Sequence, residues 1–151
     1  MSDEPLFTAV GRREVALAQI EGLTNIMVWY LIDEKQDAVG RAILPREALD
    51  RQLGRLGSLA EIRSPGDMAN QVGEWVLQVR ELADRRNKQH HALRALDDAG
   101  TPLSIRFTNK GEVDETVVST EDVNQLAAQF ERAFMDGAKV AIALGAATKD
   151  P

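Results

Sequence analysis

Apolar residues recur at three- and four-residue intervals in four stretches of this chain and alternate with polar residues in a fifth. Between Val10 and Asp33, the residues Ala16, Ile20, Leu23, Met27 and Tyr30 form the stripe of a helix with one buried face. Its last turns, Ile26 to Ile32, are apolar all round, which leaves a buried strand as the competing assignment there. After Pro45, which suits the first turn of a helix, Leu49, Leu53, Leu56 and Ala60 keep helical spacing, weakened by Gly54 and Gly57. Ser64-Pro65-Gly66-Asp67 reads as the start of a third helix, with Ser64 as N-cap and an acidic residue three positions later. Its stripe of Met68, Val72, Trp75, Val79 and Leu82 points on toward Arg86 and His90, and the helix is expected to reach about Leu96 before Gly100 and Pro102 stop it.

Leu103, Ile105 and Phe107 then alternate with polar residues, and Asn109-Lys110-Gly111 supplies a turn before a second β-rich stretch, Glu112 to Val118. This predicts a β-hairpin over about 103–118. Ser119 or Thr120 can cap a final helix whose face is Val123, Leu126 or Ala127, Phe130, Phe134 and Ala138, followed by a short flexible tail. The pattern is therefore mainly α, with one hairpin inserted before the last helix.

The length of 151 residues suits one domain with one core, and 44% hydrophobic with 28% charged residues is ordinary for a globular chain. Cysteine is absent, which removes disulfides, thiolate metal sites and a Cys nucleophile. His-Glu-x-x-His, Gly-x-Ser-x-Gly, a phosphate loop and the dinucleotide glycine pattern are absent too. Glu81 and Asp84 stand near the histidines, but ion pairing with Arg80, Arg85 and Arg86 is the simpler account, so neither metal nor other cofactor is expected. The acidic start, Met-Ser-Asp-Glu-Pro, is unlike a secretory or transit peptide, and no apolar run is long enough to span a bilayer. A cytoplasmic protein without membrane contact is expected. Trp29, Tyr30 and Trp75 lie at or near apolar stripes and read as core or dimer interface rather than as base-stacking platforms.

The net charge of -6 argues against broad electrostatic contact with nucleic acid. Its distribution changes that picture. Residues 80–94 carry five basic side chains (Arg80, Arg85, Arg86, Lys88 and Arg94) against two acidic ones, a balance of +3 that leaves -9 for the remainder. Both histidines of the chain, His90 and His91, fall in the same stretch. An anion-handling site needs such a concentration, although a solvated basic face near a helix C-terminus would look the same.

Arg86-Asn87-Lys88-Gln89-His90-His91 resembles the Arg-Asn-x-x-x-His motif of the HEPN superfamily. By composition the pattern would arise in roughly one shuffled sequence in two hundred, and Asn87 carries most of that specificity. The resemblance implies a four- to five-helix up-and-down bundle spanning 1–151, with the motif near the end of a long helix and the hairpin as an insert. It further implies a homodimer that pairs two motifs into a composite site and cleaves RNA without metal, as a toxin or defence effector whose further partner is an antitoxin or regulatory protein. Arg86, Asn87 and His91 are then the catalytic residues, and Arg85, Lys88, His90 and Arg94 contribute to binding RNA. Members of this kind also serve as RNA-, nucleotide- or protein-binding regulatory modules without cleavage.

The residue types suit transesterification of RNA. His91 can move protons because imidazole titrates near neutral pH, Arg86 can hold phosphate with its planar fork of donors, and Asn87 can orient substrate or imidazole. Helix geometry sets a constraint, since five residues turn through about 500° and separate Arg86 from His91 by about 140° and a rise of roughly 7.5 Å. His90 lies one turn from Arg86 on the continuation of the apolar stripe and can simply pack there; the match from Arg85 to His90 lacks the following Asn and ranks lower.

Overall fold

The structure is a computed structural model that describes residues 4–32, 48–92, 95–96, 102–107 and 113–149, the strand residues and Lys149 by backbone alone. Among them are four helices: α1 (Glu4–Leu31), α2 (Leu49–Arg63), α3 (Gly66–Ala92) and α4 (Thr120–Lys149). The fold is a mainly α bundle. Its core is built largely from the stripes that the spacing predicts: Ala16, Ile20, Leu23 and Met27 of α1, Leu53, Leu56 and Ala60 of α2, Val72, Trp75, Val79 and Leu82 of α3, and Leu126 and Phe130 of α4; but Tyr30 is 39% exposed, and Ala133 and Leu144 are fully buried where the spacing predicts Phe134 and Ala138. Residues 26–31 are helical, so the strand alternative for that segment falls away.

The contacts fix the direction of each helix. Arg12 pairs with Glu131 and Tyr30 lies against Gly145, so α1 and α4 run parallel. Gln89 reaches Asp122 and Trp75 reaches Ala133, so α3 is antiparallel to α4. Arg63 at the end of α2 donates to the Leu31 carbonyl at the end of α1 at 2.9 Å, so these two helices also point the same way. The strict alternation of an up-and-down bundle is therefore not followed by the described helices. Residues 33–47, Pro45 among them, lie outside the described set.

Two helix boundaries differ from expectation for physical reasons. The Ser64 hydroxyl donates to the Ala60 carbonyl instead of capping α3, and so closes α2. The α3 ladder opens with the Ala69 amide on the Pro65 carbonyl at 2.9 Å, so Pro65 takes the cap position just before the first helical residue, Gly66, instead of the first helical position itself. At its far end α3 stops at Ala92 rather than about Leu96, because Ala95–Leu96 (β1) enters a sheet. Pro102–Phe107 (β2) and Val113–Val117 (β3) complete it in the antiparallel order β1-β2-β3, with Leu103 opposite Val117 and Phe107 opposite Val113. The turn expected at 109–111, and every side chain of the sheet, fall outside the described residues.

The start of α4 follows its sequence closely. The Asp122 amide donates to Ser119 Oγ at 3.1 Å, and the Ser119 amide donates to Asp122 Oδ2 at 2.9 Å, a reciprocal cap that holds the Asp122 carboxyl below its usual range. From there α4 runs to Lys149, so the expected tail is confined to residues 150–151, outside the described set. No helix of the described residues is long and apolar enough to cross a membrane.

Candidate functional site

The basic stretch occupies the last turns of α3, where that helix lies against α1 on one side and the first turn of α4 on another. Ala9 of α1, Ala92 of α3, Val123 of α4 and Val118 just before that helix form a small apolar cluster there. Above that cluster the contacts are polar. Arg13 of α1 is 0% exposed, and each of its guanidinium nitrogens has a partner: Nε and Nη2 donate to Glu14 Oε1 at 3.1 and 2.8 Å, and Nη1 donates to Gln89 Oε1 at 2.9 Å. Gln89 in turn donates from Nε2 to the Asp122 carbonyl at 3.1 Å, joining α1, α3 and α4 through one buried network.

Arg86 is held by the same carboxylate. Its Nε donates to Glu14 Oε1 at 3.0 Å and its Nη2 to Glu14 Oε2 at 2.8 Å, a fork-to-fork pair between α3 and α1. Partial burial pushes the Glu14 carboxyl up, but the hydrogen bonds and charges of Arg86 and Arg13 outweigh it and hold Glu14 below the usual carboxylate range. The same pairing raises the Arg86 guanidinium against its desolvation, with a smaller contribution from Glu21.

The remaining motif residues are on the open side of α3. Asn87 and His91 are both exposed and stand four residues apart, on one helix face. Arg86 bends toward them, its Nη1 donating to Asn87 Oδ1 at 3.2 Å. Arg86 thus reaches, at Asn87, the face that also carries His91, which gives a row of three side chains along the end of α3. Lys88, beside them, pairs with Asp84 at 2.7 Å. Arg85 points to the other side, where its Nη1 donates to Gln129 Oε1 at 2.6 Å within a groove of about 230 Å³ between α3 and α4. His90 is half-buried, and Arg94 lies outside the described residues.

Chemically, the row offers an imidazole and an amide to solvent, backed by a guanidinium that already meets a carboxylate. The local positive charge is thus smaller than the sequence count suggests, because Glu14 comes in from a distant part of the chain. Arg13 stands in the sequence as a charge at a position on the Ala9, Ala16, Ile20 stripe, a sign of a buried cation, with Glu14 beside it; nothing local marks Glu14 as the partner of Arg86. Among the described residues no group of three or more His, Asp or Glu could hold a metal ion. No family model, curated protein or solved structure matches the chain.

Proposed function

We propose that the chain is a HEPN-like domain that acts on RNA as a metal-independent endonuclease, with two copies contributing to a composite site. The observation that supports this most is the row of Arg86, Asn87 and His91 at the end of α3, joined by the Arg86 to Asn87 hydrogen bond and open to solvent at His91. In the reaction, a ribose 2′ oxygen attacks the adjacent phosphorus while its proton passes to an imidazole, and the bond from phosphorus to the 5′ oxygen breaks as that oxygen takes a proton. The products are a 2′,3′-cyclic phosphate and a 5′-hydroxyl. His91 carries the proton transfer, Arg86 faces the charge on the phosphate, and Asn87 orients both. Lys88, His90 and Arg94 extend the contact to flanking phosphates, and Arg85 would contribute from the groove between α3 and α4, by leaving Gln129 for phosphate. The segment 103–118 is read as a β-hairpin insert of this bundle, and the cellular role as a cytoplasmic toxin or defence effector restrained by an antitoxin or regulatory protein.

One observation favours a second reading. Glu14 occupies two of the three Arg86 nitrogens, as suits a guanidinium that locks helices together in an RNA-, nucleotide- or protein-binding module without cleavage. Incubating the wild type, Arg86→Ala and His91→Ala with RNA in EDTA separates the two. Cleavage by the wild type that both substitutions abolish is the expected result; intact RNA with retained binding establishes the second reading instead.

A further inference from the structure

On the side of α3 away from the His91 row, the helix meets α4 in the groove that holds Arg85. Gln78, Glu81, Leu82 and Arg85 line it from α3, and Gln129 and Arg132 from α4, around a volume of about 230 Å³. That is less than the roughly 300–1,000 Å³ of a pocket for a drug-sized ligand, and it suits a single flat ring. Leu82, 6% exposed, gives the groove an apolar floor. The two helices are antiparallel and Arg85 meets Gln129, so Arg132, three residues further along α4, stands level with Glu81 and Leu82 on the opposite wall.

The charges of this groove are left open. Glu81 pairs with none of the arginines near it in sequence, and neither Glu81 nor Arg132 has a hydrogen-bond or ion-pair partner among the described residues. Arg85 meets only the neutral Gln129 there. An acid and a cation thus line one level of a gap without closing it, and a second cation stands a turn away. A guest that fits presents donors to one wall, acceptors to the other, and negative charge at the Arg85 end.

We infer that the groove takes one unstacked guanine base, from single-stranded RNA or from a free nucleotide. Guanine is the base whose N1–H and exocyclic amine stand side by side as donors, next to the acceptors O6 and N7. Glu81 accepts both donors with its two oxygens, and the Arg132 fork donates to O6 and N7. The ring lies on Leu82, and Arg85 leaves Gln129 for the phosphate. Adenine would turn the N1 lone pair toward the carboxylate, and uracil or cytosine offers it a single donor group beside an acceptor. Arg85, Lys88 and His91 follow one another at three-residue spacing along α3, so a strand that passes over them carries a flanking base from the motif into the groove. Guanine drawn from a strand rests on the RNA reading of that motif; guanine drawn from a free nucleotide does not.

Fluorescence anisotropy tests the groove with the full chain and a labelled 2′-O-methyl oligouridine that carries one guanine or one adenine. Such a strand cannot be cleaved, because its attacking oxygen is blocked. The guanine strand is expected to bind about tenfold more tightly. Glu81→Gln and Arg132→Ala, at exposed positions that leave helical circular dichroism unchanged, are each expected to erase that preference. Guanosine 5′-monophosphate titrated beside adenosine 5′-monophosphate separates the two sources. Selective binding of the free guanine nucleotide, lost in Glu81→Gln, with neither strand bound, keeps the groove as a nucleotide site and speaks only against RNA at the motif. Equal binding of guanine and adenine in both forms, or a preference that survives either substitution, overturns the guanine site. A guanine preference beside intact unmodified RNA speaks only against cleavage.

Discussion

Glu14 and Arg86 meet through two oxygens and two nitrogens, at 3.0 and 2.8 Å, although 72 residues separate them in the chain. The same carboxylate also closes the buried Arg13, so one acid pairs with two cations on two helices. Glu14 thereby serves stability through Arg13 and tempers chemistry through Arg86.

Removing that acid leaves Arg13 buried with Gln89 as its one remaining partner. Glu14→Ala is expected to cost about 2–3 kcal/mol in urea denaturation, below the full penalty for breaking a buried pair because Glu14 itself is partly exposed. An unchanged midpoint would show that water replaces the carboxylate without loss.

The isosteric Glu14→Gln keeps the packing and frees the Arg86 charge. If Arg86 faces phosphate, this variant binds a short single-stranded RNA about fivefold more tightly at low salt and with a steeper salt dependence. Fluorescence anisotropy across a salt series measures both.

The same pair predicts a pH dependence. The folded-state pKa of Glu14 is depressed, so its contribution to stability is complete above the ordinary carboxylate value of about 4.3 and is lost as pH falls through the lower folded value. The gap in melting temperature between wild type and Glu14→Gln should therefore be constant near neutrality and close in acid. A gap that persists in strong acid would locate the effect elsewhere.

Away from the site, Trp75 packs flat on the backbone of α4, its Nε1 donating to the Ala133 carbonyl at 2.8 Å. A Cβ on Gly137 would stand 2.5 Å from the indole ring, so glycine is required for this approach. Gly137→Ala is expected to destabilise by about 1–3 kcal/mol through overpacking. Shrinking the ring in the double variant with Trp75→Leu should recover part of the loss caused by the added methyl, which a double-mutant cycle reads directly.

How much of this was legible beforehand follows from the range over which each feature is coded. The stripes of α2 and α3, the first half of the α4 stripe (Val123, Leu126 and Phe130) and the Ser119 cap are local patterns and appear at their predicted places, whereas further along α4 Ala133 and Leu144 are fully buried and Phe134 only partly so. The end of α3 was misjudged because Ala95 and Leu96 pair with residues 102–103, a non-local choice that no helical periodicity reveals. The parallel direction of α1 and α2 is likewise not coded locally, since it shows only in contacts such as that of Arg63 with the Leu31 carbonyl, 32 residues apart. At the site, the motif itself was readable as a string, but its electrostatics were not. Local spacing pairs Arg86 with Glu81 or Asp84, but its partner is Glu14 of α1, while Asp84 pairs with Lys88; and the outer stripe of α1, with Phe7, Val15, Ile26 and Trp29 exposed, is concealed by a helix that is apolar on two faces.

The most direct measurement of the proposed function is the chemical nature of the ends formed when end-labelled RNA is incubated with the purified wild type in excess EDTA. A metal-independent site built on Arg86, Asn87 and His91 predicts fragments ending in a 2′,3′-cyclic phosphate and beginning with a 5′-hydroxyl, absent with His91→Ala. RNA that stays intact, or fragments that persist undiminished with His91→Ala, would contradict it.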